Sequence, residues 1–131
     1  MNTVYVLEDN ALVRRYLTEL LRIVGKLDVQ AFAEPQPLMA AMEQELPQLL
    51  ILDINLADAK LDGESVDGLI LSRRFKESLG ERAPAIMLLS AHALPGDEQQ
   101  FLQASLADEY QSKPILDEDH FLQRLTQLLK G

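Results

Sequence analysis

The chain contains no cysteine. That excludes disulfides, thiolate metal sites and cysteine nucleophiles, and it fits the cytoplasm. No apolar run approaches the roughly 18 residues that a membrane span needs. The opening residues Met1, Asn2, Thr3 and Val4 lack the basic start of a secretory signal. Positive charge is scarce: 12 Lys and Arg stand against 21 Asp and Glu, for a formal net charge of −9. Such a surface repels nucleic acid and anionic membranes, so neither is an expected partner. Linkers, internal repeats and low-complexity segments are also missing. The expectation is one soluble, cytoplasmic domain over residues 1–131, long enough to bury about two-thirds of the surface its unfolded chain exposes.

What is present is an alternation of short apolar runs with amphipathic stretches. Residues 3–7, 29–33, 49–52, 85–89 and 107–111 read as strands, the third being the most apolar. Leu17, Leu20, Leu21 and Val24 follow helical spacing, with Asn10 as the cap and Gly25 as the stop. A short helix is expected over 37–45, ended by Pro47. Leu71, Phe75 and Leu79 mark a third helix at four-residue spacing, and Pro95, Gly96 and Asp97 open a fourth. Asp117 or Asp119 caps the last, whose apolar stripe is Phe121, Leu122, Leu125, Leu128 and Leu129. Five strands alternating with five helices predict an α/β domain, its parallel sheet covered on both faces.

Polar residues with chemistry stand at the ends of these runs. Glu8 and Asp9 follow the first strand, Asp53 the third and Ser90 the fourth, while Lys113 follows the fifth and precedes Pro114. In an open parallel sheet all of these ends lie at one edge, where ligands bind. If the three carboxylates are about 5 Å apart, each pair repels by about 3 kcal/mol at an effective dielectric near 20. Lys113 supplies a single compensating charge. Either some acids are protonated or a cation sits among them. A hard, oxygen-liganded ion, Mg²⁺ above all, suits a few carboxylates that share it with a phosphoryl group.

The four pieces Leu7–Glu8–Asp9–Asn10, Ile51–Leu52–Asp53–Ile54–Asn55–Leu56, Leu89–Ser90–Ala91–His92 and Tyr110–Gln111–Ser112–Lys113–Pro114 occur in order, each at a strand end. Together they resemble the receiver domain of bacterial response regulators, over nearly the whole chain. The resemblance implies a single doubly wound, flavodoxin-like sheet of order 2-1-3-4-5 with five helices. It implies that Asp53 is the phosphoacceptor, taking a phosphoryl group from a histidine kinase or histidine phosphotransfer protein. Asp9, Glu8, Asp53 and the backbone carbonyl of Asn55 would hold Mg²⁺. Lys113 would offset phosphoryl charge and Ser90 would bind the phosphoryl group, with Tyr110 as the aromatic switch. Asn55 and His92 would tune the lifetime of the phosphate, small Ala91 would leave room for the donor, and the Lys113–Pro114 bond would be cis. The signal would leave through the face made by the fourth helix, fifth strand and fifth helix. Such a protein catalyses only its own phosphorylation and dephosphorylation, and would be either a stand-alone receiver acting on a downstream protein target or a fragment of a longer regulator with an output domain.

Two departures from the family stand out. The chain has two Asp–Gly pairs, Asp62–Gly63 and Asp67–Gly68; taking the second as the usual one leaves an insertion of about seven residues within 57–66, carrying Asp58, Asp62 and Glu64. Leu106 stands where the family often has glycine. Two other functions compete. A haloacid-dehalogenase-type phosphatase also uses a strand-end Asp, Mg²⁺, a hydroxyl and a Lys, but needs a second Asp where this chain has Asn55. A phosphorylation-independent interaction module would lack the acceptor, a metal ligand or the lysine, and none is missing here.

Overall fold

The computed structural model describes residues 2–91 and 94–130. The central sheet comprises β1 (Thr3–Leu7), β2 (Asp28–Phe32), β3 (Leu49–Asp53), β6 (Ala85–Ser90) and β7 (Glu109–Ser112). All pairings are parallel and the order is β2-β1-β3-β6-β7. This is the expected 2-1-3-4-5 order; the numbering differs only because a small hairpin, β4 (Lys60–Leu61) with β5 (Glu64–Ser65), precedes the fourth sheet strand.

Strand alternation divides the core in two. Val4, Val6, Leu49, Ile51, Met87 and Leu89 face α1 (Ala11–Glu19) and α5 (Glu118–Lys130), meeting Leu17, Leu20, Leu21, Phe121 and Leu125. Tyr5, Leu7, Leu50, Leu52, Ile86 and Leu88 face the other way, toward Leu38 and Met42 of α2 (Pro35–Gln44) and Leu71 and Phe75 of α3 (Gly68–Leu79). Phe101 and Leu102 of α4 (Asp97–Ser105) pack on that second face. Every residue of β3 is buried, as expected of a central parallel strand covered on both sides.

Asn10 caps α1, its side chain accepting from the amides of Leu12 and Val13. The helix runs on into a π-helical turn, Leu20–Val24, where the Gly25 amide donates to the Leu20 carbonyl. That wider turn needs more residues per revolution, so Val24 falls short of the buried face and is 57% exposed, against the helical stripe expected of it. Gly25 ends the helix in right-handed geometry; the left-handed residue is Lys26, at φ 57°. α2 starts two residues earlier than its pattern suggests because Pro35, which has no amide to satisfy, takes the first helical position. Asp117 is the α5 cap, accepting from the His120 amide. At the end of α4 Leu106 adopts the left-handed conformation, φ 60°, that glycine ordinarily supplies.

The polar segment after Asp53 is better ordered than its composition suggests. Asp62 and Gly63 have φ of 53° and 84°, the two positive values that a two-residue type I′ hairpin turn demands. Leu61 and Val66, from this segment, are buried in the α2–α3 core.

Candidate phosphoryl and metal site

Parallel register assembles the site. Leu7 pairs with Leu52 and Asp53 with Leu89, so Glu8, Asp53 and Ser90 emerge side by side at one edge. Ser90 pairs with Ser112, which brings in Lys113; the Lys113 amide donates to the Ser90 carbonyl at 2.9 Å. The Lys113–Pro114 bond is cis. Each of Glu8, Asp9 and Asp53 offers a carboxylate oxygen, and these atoms all lie within 4.8 Å of one another. Glu8 is fully buried and Asp53 is 1% exposed.

The protein holds these acids in specific ways. Lys113 Nζ donates to Glu8 Oε1 at 2.8 Å and to Asp53 Oδ1 at 3.2 Å. The Asn55 amide also donates to Asp53 Oδ1, at 3.1 Å, and the Asn10 amide to Glu8 Oε2, at 3.1 Å. Asp9 Oδ2 accepts from the Ala57 amide at 2.9 Å. Burial, followed by the hydrogen bonding and charge of Glu8, pushes the Asp53 carboxyl up to about 7, against the pull of Lys113 and the Asn55 amide. Burial also pushes Asp9 upward, but the amide of Ala57 and the neighbouring side chains outweigh it and leave Asp9 below its ordinary value. For Lys113 burial opposes the charge, and the two carboxylates more than compensate, so the ammonium is held above its usual value.

Three hard oxygen donors around a deficit of positive charge suit a small dication. The donor set therefore fits Mg²⁺, with Glu8, Asp9 and Asp53 as the side chains to hold it. Tyr110 lies to one side of this cluster. Its ring packs against Phe101, with centroids 6.2 Å apart, and its hydroxyl is buried with no hydrogen-bond partner among the described residues. Burial first, then the Glu98 and Asp97 charges, raise the phenol, partly offset by the nearby Ser90 hydroxyl. His92 lies outside the described residues.

Several contributors carry no sequence motif. Arg14 donates to the carbonyls of Glu8, at 2.8 Å, and Asp9, at 3.3 Å, fixing the backbone between the two acids. Gly68 passes so close to β3 that a Cβ on it would stand 2.2 Å from the Asp53 carbonyl oxygen. Asp67 caps α3 through the Ile70 amide, so the second Asp–Gly pair is the one that packs against the end of β3. The first pair is the hairpin turn. Its Asp–Gly dipeptide was a legible hairpin signal, whereas the Ala57 amide and Arg14 depend on distant partners.

Comparison with known proteins agrees with this fold. The chain matches the response regulator receiver domain family over residues 4–126. No curated protein matches it. Among solved structures it is similar to the BeF3-activated N-terminal receiver domain of Klebsiella pneumoniae RstA, at 23% identity and TM-score 0.81, covering 99% of this chain and 100% of that one. It is also similar to the Vibrio cholerae chemotaxis protein CheY4, at 18% identity and TM-score 0.79, covering 98% of each chain. A third similar structure is the receiver domain of the Pseudomonas aeruginosa sensor histidine kinase PA1611, which has a magnesium ion coordinated in its active site cleft. That match has 22% identity and TM-score 0.79, and covers 99% of this chain and 98% of that one. With the signature matched across almost its whole length, the chain belongs to the response regulator receiver domain family of two-component signal transduction.

Proposed function

We propose that the protein is a phosphoacceptor that takes a phosphoryl group from a phosphohistidine onto Asp53 and signals by a change of shape. The observation that carries this reading is the convergence of Glu8, Asp9 and Asp53 within 4.8 Å, with one lysine bonded to two of them. An Asp53 carboxylate oxygen attacks phosphorus, the phosphorus–nitrogen bond breaks, and the imidazole leaves with the electron pair. Lys113 stays beside Asp53 to offset charge on the phosphoryl oxygens. Glu8, Asp9, Asp53 and the Asn55 carbonyl would hold Mg²⁺, which when bound would offset negative charge on the phosphoryl group. Magnesium in the cleft of the similar Pseudomonas receiver supports that assignment.

After transfer, the Ser90 hydroxyl donates to the phosphoryl group, and Tyr110 follows the vacated space. The face of α4, β7 and α5 is then the output surface. Such a shift can be no larger than the difference in how the phosphoryl group interacts with the two states. Asn55 and His92 set how long the phosphate survives. The protein acts on no separate substrate, and it works in the cytoplasm; among the described residues no helix is long and apolar enough to cross a membrane.

The donor is a protein, a histidine kinase or a histidine phosphotransfer protein. An apolar groove of about 350 Å³ beside Lys113, lined by Leu12, Val13, Tyr16, Leu17, Pro114 and Ile115, supports docking of an apolar helical surface next to the acceptor. Leu12 at its rim is 80% exposed.

The test is incubation with Mg²⁺ and acetyl phosphate, followed by mass spectrometry. The expected result is a single acid-stable, base-labile phosphoryl adduct on the wild type and none on Asp53→Asn. No adduct on the wild type, or an equal one on the variant, overturns the reading.

A further inference from the structure

The segment between Asp53 and α3 lies beside the site, yet it is paired within itself and anchored to the rest of the domain. Its strands pair antiparallel, Lys60 with Ser65 and Leu61 with Glu64, closed by the Asp62–Gly63 turn. Its stem is tied where the Val66 amide donates to the Ala59 carbonyl at 3.0 Å, and Leu61 and Val66 sit in the core that α2 and α3 share. Glu64 of its outer strand also forms an exposed ion pair with α3, Oε2 lying 2.9 Å from Arg74 Nη2, a weaker tie than the buried Leu61 and Val66. At the base of this braced hairpin, Asp58 holds φ 51° and the preceding residue, Ala57, delivers its amide to Asp9 Oδ2 at 2.9 Å.

We infer that the hairpin is a fixed positioning element for Asp9, presenting the Ala57 amide as the outer partner that orients this metal ligand. The inference rests on the Mg²⁺ reading of the site. A carboxylate that gives one oxygen to a backbone amide keeps its second oxygen free for a cation. Oriented in advance, it loses less rotamer freedom when the ion binds. Outer partners of this kind typically govern metal affinity by about 10-fold to 100-fold. A hairpin tied by buried Leu61 and Val66 is suited to that work and unsuited to opening as a lid. The polar cleft of about 260 Å³ between its stem and the β2–α2 connection is then a fixed wall with Asp9 on one side.

Two experiments decide the matter. In the wild type freed of metal, amide hydrogen exchange should find the Ala57 amide protected, and backbone order parameters across 57–66 should sit near those of rigid backbone, about 0.85. An Ala57 amide exchanging as freely as a solvent-exposed one, or a hairpin with order parameters under about 0.6, overturns the proposal without any mutation. Calorimetric titration with Mg²⁺ alone then compares affinities. Ala57→Pro, which removes the amide, should bind about tenfold more weakly. The double variant Leu61→Ala with Glu64→Ala, which keeps the amide but loosens its supports, should also bind more weakly. A purely structural hairpin would lower thermal stability in these variants and leave Mg²⁺ affinity at the wild-type value, which overturns the proposal. If the wild type bound Mg²⁺ normally and the folded variants matched it, the metal reading would stand and this inference would fail. A wild type that took up no Mg²⁺ at millimolar concentration would overturn both.

Discussion

The Lys113 ammonium lies 2.8 Å from Glu8 Oε1, a carboxylate with no exposure to solvent. The two residues are 105 positions apart, and the same ammonium reaches Asp53 at 3.2 Å. One cation therefore tethers the first, third and last strands of the sheet at the edge where the chemistry is proposed.

Removing that cation leaves two buried acids without a counter-charge. Lys113→Met keeps the apolar stem and deletes the charge. It is expected to destabilise the protein near neutral pH by about 3 kcal/mol, read from urea denaturation. It should also push Asp53 still higher, because Lys113, ahead of the Asn55 amide, pulls it down. An Asp53 titration by NMR that stayed where it is in the wild type would contradict this account.

The raised Asp53 makes stability depend on pH in an unusual direction. Its carboxyl moves from the ordinary 3.8 to about 7 in the folded state. Between those values the folded protein keeps a proton that the unfolded chain has released, so stability falls as pH rises through the window. Asp53→Asn abolishes this titration. In the absence of metal the variant should gain on the wild type from about pH 4 to about pH 7.5, measured as the difference in urea midpoints. A difference that stays constant over that range would count against it. Added Mg²⁺ should stabilise the wild type at the upper end of the range by mass action.

Gly68 predicts a different kind of failure. A methyl group there would meet the Asp53 carbonyl oxygen at 2.2 Å, its carbon at 2.8 Å and Ile54 Cα at 2.9 Å, all of them backbone atoms. None can swing aside as a side chain could. Gly68→Ala is expected to cost about 1–3 kcal/mol of stability and to displace the end of β3 that carries Asp53. Slower labelling by acetyl phosphate in a variant that remains folded is the measurement for the second effect.

Tyr110 offers the converse case. Among the described residues its buried hydroxyl has no hydrogen-bond partner at good geometry, with the Ser90 hydroxyl only nearby, which is a cost to the fold. Tyr110→Phe should therefore leave stability unchanged or raise it by up to about 1 kcal/mol, while Tyr110→Ala, which also loses the Phe101 contact, should lower it by about 3 kcal/mol. Thermal unfolding of the two variants separates the hydroxyl from the ring.

The class of the fold, and which polar residues meet at one sheet edge, were legible in the sequence. Val4 to Leu7 and Leu49 to Leu52 are apolar on every residue, which only a strand buried on both faces can use. Strands of that kind alternating with helices must run parallel, and parallel strands place whatever follows them at one edge. Glu8, Asp9, Asp53, Ser90 and Lys113 were legible because their position relative to the runs is local information. Tertiary structure alone decided what these residues touch. Lys113 binding both Glu8 and Asp53, Arg14 holding the backbone of the acids, and the Ala57 amide on Asp9 depend on partners up to 105 residues away. The same holds for Leu61 and Val66, two apolar residues in a polar stretch, which are buried because α2 and α3 offer them a surface. It holds too for Val24, which follows the apolar spacing and is exposed, because the π-helical turn rotates it off the core. Periodicity reports which face a residue shares with its neighbours along the chain; packing against distant elements decides whether that face is covered.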